Sequence, residues 1–422
     1  MEVVYANFPE DLDVCALYAD ALMNLTPWQL WDLASGKPTI EGRTLDAKAV
    51  LEATLSSEKG LQHPGLLHLY IHLMEMSPTP ESALTTADYL RDLVPDSGHL
   101  NHMPTHLDIL CGDYRRAIAS NSDAIRADEK FVSRAGPLNF YTLYRSHNFH
   151  FRIYAAMFSG QSKIALDTVS QLESSISEGL LGVKSPPMAD WLEGFVSVRI
   201  HVLIRFGLWD QLLALPLPGE PSLYCVTTAM HHYGKGVAFA ARGNVEEAEK
   251  QQSLFLEALA RVPDSRTLFN NKCTDILAIA SAMLSGEIAY RRGDFPLAFQ
   301  HLQESIKLDD NLPYDEPWGW MQPTRHAYGA LLLEQGHAEK AAAVYGADLG
   351  MDNTLPRALR HPNNVWALHG YHECLVILAR TAEASIVKQQ LRLALAVADV
   401  PIQSSCFCRQ AKNRSSMEPQ TA

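Results

Sequence analysis

Apolar positions recur every three or four residues along most of the chain, and no stretch of useful length alternates with the period of two that a half-buried strand requires. Segment 16–34, ALYADALMNLTPWQLWDLA, is helical in period; Trp28 and Trp31 are expected to pack the first turn of a superhelix, and Pro38 and Gly42 break it. Residues 44–57 read as a second helix with Thr44 as its N-cap. A third starts at Pro64, where proline suits the first helical turn, and runs to Met76, with a partner over 81–93. The pattern predicts an all-α fold.

Small residues divide the helices into pairs. Gly329, Gly336 and Ala341 in YGALLLEQGHAEKAAAVY match the small, glycine and alanine positions 8, 15 and 20 of the tetratricopeptide repeat (TPR), where two helices cross closely. Gly286/Gly293/Ala298 and Gly236/Gly243/Ala248 repeat the pattern, with weaker copies at Gly112/Ala117, Gly160/Ala165 and Gly207. The expected architecture is one domain over 1–402, a TPR-like α-solenoid of about eight repeats curled around a central groove. Residues 403–422 lose periodicity and read as a partly disordered tail. The stretch DDNLPYDEPWGWMQP, 309–323, lengthens one repeat and is a candidate lid.

This phasing locates the histidines. The spacing H-x-x-x-H occurs at His68/His72 and again at His102/His106, one 34-residue period later. Positions 2, 5, 9 and 12 of a repeat share the inner face. They hold His68, His72 and Glu75 in one repeat, His99, His102 and His106 in the next, and His147 and His150 in the third. Stacked helices sit about 8–10 Å apart, so imidazoles from neighbours can meet around one ion or a close pair. Pro104 removes the N–H that would bond Leu100 and can re-aim His102 relative to His106. The expected metal ligands are His68, His72, His102, His106, His147 and His150. A nitrogen-rich set with one carboxylate suits copper best, with zinc or iron as alternatives.

Composition narrows the partners. The 422 residues carry a net charge of −13 with scattered basic residues, which argues against nucleic acid or an anionic membrane surface. The N-terminus lacks the pattern of a signal peptide, and no long apolar run suggests a membrane span. The seven cysteines, an odd number set mostly singly in helical patterns, fit a reduced, cytoplasmic chain; only Cys406 and Cys408 stand as a pair, read as two loose thiols.

Four strings together, HPGLLHLYIHLMEMSPTPESALTTADYLRDLVPDSGHLNHMPTH, SHNFHF, LPYDEPWGWMQPTRHAYGALLLEQG and SSCFCR, resemble a group of TPR proteins found in bacteria and, often near biosynthetic genes, in filamentous fungi. The likeness runs from about Ala16 to Arg409 and implies an α-solenoid around a histidine-lined cavity, leaving the reaction open. The expectation is a metal-dependent enzyme, a copper oxidoreductase acting on a small-molecule substrate. Glu75, Tyr314 and Arg325 are its catalytic candidates, and Asp315, Trp320 and His326 its substrate contacts. A mononuclear zinc hydrolase, isomerase or lyase using the same histidines, and a non-catalytic scaffold for a peptide partner, are the alternatives.

Overall fold

A computed structural model describes residues 1–409, and among these the chain is helical almost throughout. The helices pair as antiparallel hairpins. The first four hairpins are Leu12–Met23 with Thr44–Leu55, Pro64–Glu75 with Leu84–Leu90, the broken helix Gly98–His102/Pro104–Leu110 with Tyr114–Ala135, and Thr142–Phe158 with Ser162–Ser175. A fifth, Met188–Val196/Val198–Arg205 with Trp209–Ala214, precedes Cys225–Ala241 with Val245–Leu259 and Cys273–Arg291 with Phe295–Asp310. Thr324–Glu334 with Ala338–Leu349 and Val365–Ile377 with Thr381–Leu395 complete the series.

Repeat phasing and packing agree. The position-15 glycines Gly243, Gly293 and Gly336 end their helices at φ +78°, +84° and +81°, where a side chain would be strained. A methyl group on Gly286 would stand 2.8 Å from Leu302 Cγ, and one on Gly329 2.5 Å from Tyr345 Cζ, each on the partner helix. Gly370 meets the same Tyr345 atom at 2.4 Å from the other side, so the ring lies in a slot between two glycines. We expect Gly329→Ala or Gly370→Ala to cost about 1–3 kcal/mol, the usual penalty for overpacking. Urea unfolding checks this, and an unchanged midpoint would show that the slot is loose.

The structure departs from the periodicity at several points. The first helix ends at Met23, not near residue 34. Trp28 takes φ +60°, and Trp31 lies in a two-residue ribbon, Trp31–Asp32 against Lys37–Pro38, donating its indole N–H to Leu73 O at 2.7 Å. Burial of that indole and its bond to the next hairpin outweigh local helical period. Thr44 is no cap; its hydroxyl donates to Leu30 O at 2.7 Å. A second ribbon pairs Thr267–Leu268 with Asn271–Lys272. Helix Cys273–Arg291 is long and apolar enough to cross a membrane by composition alone, and 67% of that window is buried inside the protein.

The superhelix closes on itself. Tyr114 donates to Pro362 O at 2.9 Å, Trp366 donates its indole N–H to Met157 O at 2.6 Å, and the Asp399 carboxylate accepts from Ser162 and Lys163 backbone N–H groups at 2.7 and 2.9 Å. These bonds tie the third and fourth hairpins to the ninth. The long loop after Asp310 folds inward, burying Tyr314, Trp318, Trp320 and Met321. The expected groove is therefore a covered interior. Part of the expected tail is also packed. Arg205 donates to Ser405 O at 3.1 Å, Ser405 donates to His326 O at 2.8 Å, and Arg409 forms a two-pronged pair with Glu373 at 2.7 and 2.8 Å. The remainder of the expected disordered tail, 410–422, lies outside the described residues.

Candidate metal centre

Helix Pro64–Glu75 starts where Pro64 needs no N–H partner and where the His63 ring accepts the Leu66 N–H at 3.2 Å. Residues four apart then bring His68 and His72 onto one face, with ring centroids 4.7 Å apart. Pro104 breaks the next helix at Met103, between Gly98–His102 and Pro104–Leu110. The break splits three histidines between two groups. His99 turns to His68, Nε2 to Nε2 at 3.1 Å, while His102 and His106 face one another, Nε2 to Nε2 at 2.8 Å. Helix Thr142–Phe158 supplies His147, 4.6 Å from His102 between ring centroids.

Two trios result, His68/His72/His99 and His102/His106/His147, and in each trio the ligand atoms lie within 4.8 Å of one another. His72 and His106 join them, with centroids 5.3 Å apart. This corrects the expected ligand set at one position: the third helix contributes His147 alone. Phe151, four residues after His147, faces the cluster at 4.5 Å from His102. His150, three residues after, is turned to Phe195, and its two ring nitrogens are buried without partners. His99 takes the place expected for His150. Its position 2 is also that of His147, a match that sequence phasing contained.

The hydrogen-bond partners fix where the lone pairs point. Asn121 donates its amide to Ala117 O at 2.8 Å, so its carbonyl oxygen faces His102 Nδ1 at 2.8 Å. His102 therefore carries its proton on Nδ1 and presents a bare Nε2. His72 Nδ1 donates to Glu75 Oε1 at 3.0 Å, which leaves its Nε2 free likewise. His106 Nδ1 lies 2.5 Å from Glu75 Oε2 and 2.8 Å from Glu316 Oε2, at ion-pair distance but without hydrogen-bond alignment. Bare Nε2 atoms cannot face each other at 2.8 Å without a proton or a cation between them. Ligand nitrogens around one ion sit about 2.8–3.4 Å apart for bonds of 2.0–2.1 Å, so the observed spacings fit a cation.

Electrostatics supports the same assignment. Burial pushes the His68, His102 and His147 imidazoles well below their usual range, and His99 down to about 3, so all four are neutral at pH 7, the form in which an imidazole can bind a metal. His106 is the exception. Burial opposes its charge, but Glu75 and Glu316 lift it to about 10. Burial would raise Glu75, yet His106 and His72 hold it near 2, whereas burial and then repulsion from Glu75 lift Glu316 to about 7. Without metal, then, an imidazolium at His106 donates to His102. Glu75 sits behind both trios, oriented to Nδ1 of His72 and of His106, the usual position of a carboxylate that orients metal-bound imidazoles.

The loop residues divide. Tyr314 donates to Glu316, which reaches His106, so this end of the loop meets the cluster. Asp315 accepts from Asn270 N–H at 3.3 Å and from the Asn271 amide at 3.1 Å, clamping the Thr267–Lys272 ribbon. At its tip Phe269 takes φ +49° and lays its ring 4.7 Å from that of His147. A bulky residue at positive φ is strained, and such strain persists only where the surroundings enforce it. Neither Glu316 nor Phe269 was singled out from sequence. The structure does not bring the other candidates to the histidines. Arg325 pairs with Asp310, Trp320 packs on His201 at 4.6 Å, and His326 donates to Asp348 at 2.9 Å. Asp108 is buried and pairs with Arg91 at 2.6 Å.

No protein-family model matches the chain, and no curated protein matches it. Among solved structures, one titled "Structure of Naa15/Naa10 bound to HypK-THB" aligns over 94% of this chain and 72% of that chain, at 12% identity and a TM-score of 0.23. A likeness that distant carries no argument here. The chain is an all-α solenoid whose early hairpins gather histidines into groups able to hold metal.

Proposed function

We propose that the protein is a metal-dependent oxidoreductase in which two copper ions, each held by three imidazoles, act on a small aromatic molecule. The grouping carries this reading. Six imidazoles from four helical segments divide into two all-histidine trios, close enough for adjacent ions. Two-iron sites on helices lean on several carboxylates, whereas nitrogen-only sets suit copper. A copper pair so ligated supplies two-electron chemistry with dioxygen.

The chain's own residues do the rest. Glu75 orients His72 and His106, and Glu316 with Tyr314 holds a proton beside His106 Nδ1. Phe269 marks where an aromatic ring packs edge-to-face on His147, and Asp315 ties that ribbon to the loop that carries Glu316. A second reading has its own observation: His72, Glu75 and His106 also fall within 4.8 Å, the ligand set of a hydrolytic zinc. Glu75 meets both rings on the Nδ1 side, however, which fits orientation better than ligation.

Oxygen uptake separates the two. Copper-loaded protein is expected to consume oxygen with one or more members of a phenol and catechol panel, and zinc-loaded protein is not. Ester or amide hydrolysis by the zinc form, with no uptake by the copper form, would favour the second reading. Metal binding also has a pH signature. An ion on His106 expels a proton from an imidazole that Glu75 and Glu316 lift to about 10, so apparent affinity should weaken about tenfold per pH unit on acidification from 8 to 6. Competition titrations at three pH values measure this; a flat response would mean that His106 is not a ligand.

A further inference from the structure

The paired cysteines near the end of the described chain lie far in sequence from the histidines, and the reading above does not use them. Their segment is held from several sides. Arg205 takes Ser405 O, Arg291 takes Cys408 O, Arg409 pairs with Glu373, and Phe407 fills the space over Gly207. So anchored, Cys406 and Cys408 are joined as a disulfide. With a single residue between them, the bond closes almost no loop. Stabilisation by a cross-link grows with the length of chain enclosed, so this one is poorly suited to be a staple.

Its surroundings are those of a reactive pair. Cys408 is buried, whereas Cys406 is half-buried, so Cys406 is the more accessible partner to an incoming thiolate. Glu287, on helix Cys273–Arg291, places a carboxylate oxygen within 4.8 Å of both sulfurs. Glu287 is 1% exposed, and its Oε2 has no hydrogen-bond partner. Burial lifts this carboxyl to about 7, against the pull of Arg291 and with some push from Glu334, so it can give or take a proton at neutral pH.

We propose that Cys406, Cys408 and Glu287 form a thiol–disulfide exchange site that accepts two electrons from a small dithiol. A thiolate of the dithiol attacks Cys406 Sγ, the S–S bond breaks, and Cys408 leaves with the pair of electrons and takes the Glu287 proton. The second thiol of the reagent, losing its proton to water, attacks the reagent sulfur of the mixed disulfide. Cys406 is released and protonated from water. The reagent departs as a cyclic disulfide, the protein is left as the dithiol, and water reprotonates Glu287. Attack at the more accessible cysteine and proton donation at the buried one are the two roles that the burial difference assigns.

The test uses full-length protein, dithiothreitol and thiol mass-tagging. Protein purified in air should show Cys406 and Cys408 untagged, and dithiothreitol should open both without unfolding the chain. At pH 6.5 Glu287→Gln should slow this reduction about tenfold, while Glu287→Asp, which keeps the acid, should restore part of the rate. Urea midpoints report whether either variant has merely loosened the segment. The proposal is overturned if both cysteines tag without reductant, if the folded protein resists dithiothreitol, or if Glu287→Gln reduces at the wild-type rate.

Discussion

His106→Ala is expected to remove metal from the His102/His106/His147 trio and weaken the His68/His72/His99 trio, while leaving the helical circular dichroism in place. The first effect follows from losing one of three ligands. The second follows from Glu75: with His106 gone, its Oε2 loses the His106 Nδ1 partner and the carboxylate is free to swing off His72 Nδ1. Loss of such an orienting contact costs about 10- to 100-fold in affinity. His99→Ala and His150→Ala refine the assignment. The first should lower copper stoichiometry by up to one ion per chain; the second should leave it unchanged, because His150 faces Phe195 instead. The reverse pattern would return His150 to the ligand set. Collapse of helicity in His106→Ala would instead make this imidazolium, with its two carboxylates, a structural centre.

The second large effect is on stability, far from the histidine cluster. Asp348 is buried and accepts from His326 Nε2 at 2.9 Å, His361 Nδ1 at 2.8 Å and Asn364 Nδ2 at 3.0 Å. Burial pushes His326 down to about 4, so at neutral pH it is a neutral donor to a charged carboxylate. Asp348 itself, against burial, is held well below the usual carboxylate range by His326 and His361. Asp348→Ala removes the acceptor of two buried donors, His326 and Asn364, and of the half-buried His361, at the joint between the eighth and ninth hairpins. We expect a loss of about 3–5 kcal/mol, the cost of breaking a buried charged network. A carboxylate with a depressed folded pKa stabilises fully above its unfolded value, about 3.9, and loses that contribution as pH falls below it. Wild type should therefore lose more stability than the variant on acidification below about pH 4. Urea unfolding at pH 7 and pH 3.5 measures both, and equal midpoints at pH 7 would contradict the assignment.

Much of the solenoid was legible because its signals are local. Glycines at positions 8 and 15 mark helix crossings and helix ends, and Gly286, Gly329 and Gly336 do so in the structure. The two H-x-x-x-H pairs were legible for the same reason, since residues four apart share a helix face wherever the helix lies. What escaped depends on distant chain. Trp31 left its helical pattern for a bond to Leu73, 42 residues on. Residues 403–409 lack periodicity, yet Ser405 and Arg409 are held by partners on three helices. Pro104 signals a break but not which histidine turns which way, so helical spacing favours His150 where the fold supplies His99. Glu316 and Phe269 approach His106 and His147 from over a hundred residues away, on segments without helical period; the carboxylates of the inserted loop hint at Glu316, and nothing local points to Phe269.

If folding brings six imidazoles into two coordination spheres, the intact protein must bind metal in a fixed ratio. Protein expressed with supplemented copper, desalted and weighed by native mass spectrometry, should carry two copper ions per chain, falling to one or none in His106→Ala. A wild-type chain that carries no metal, and whose stability is unmoved by added copper or zinc, would contradict the account.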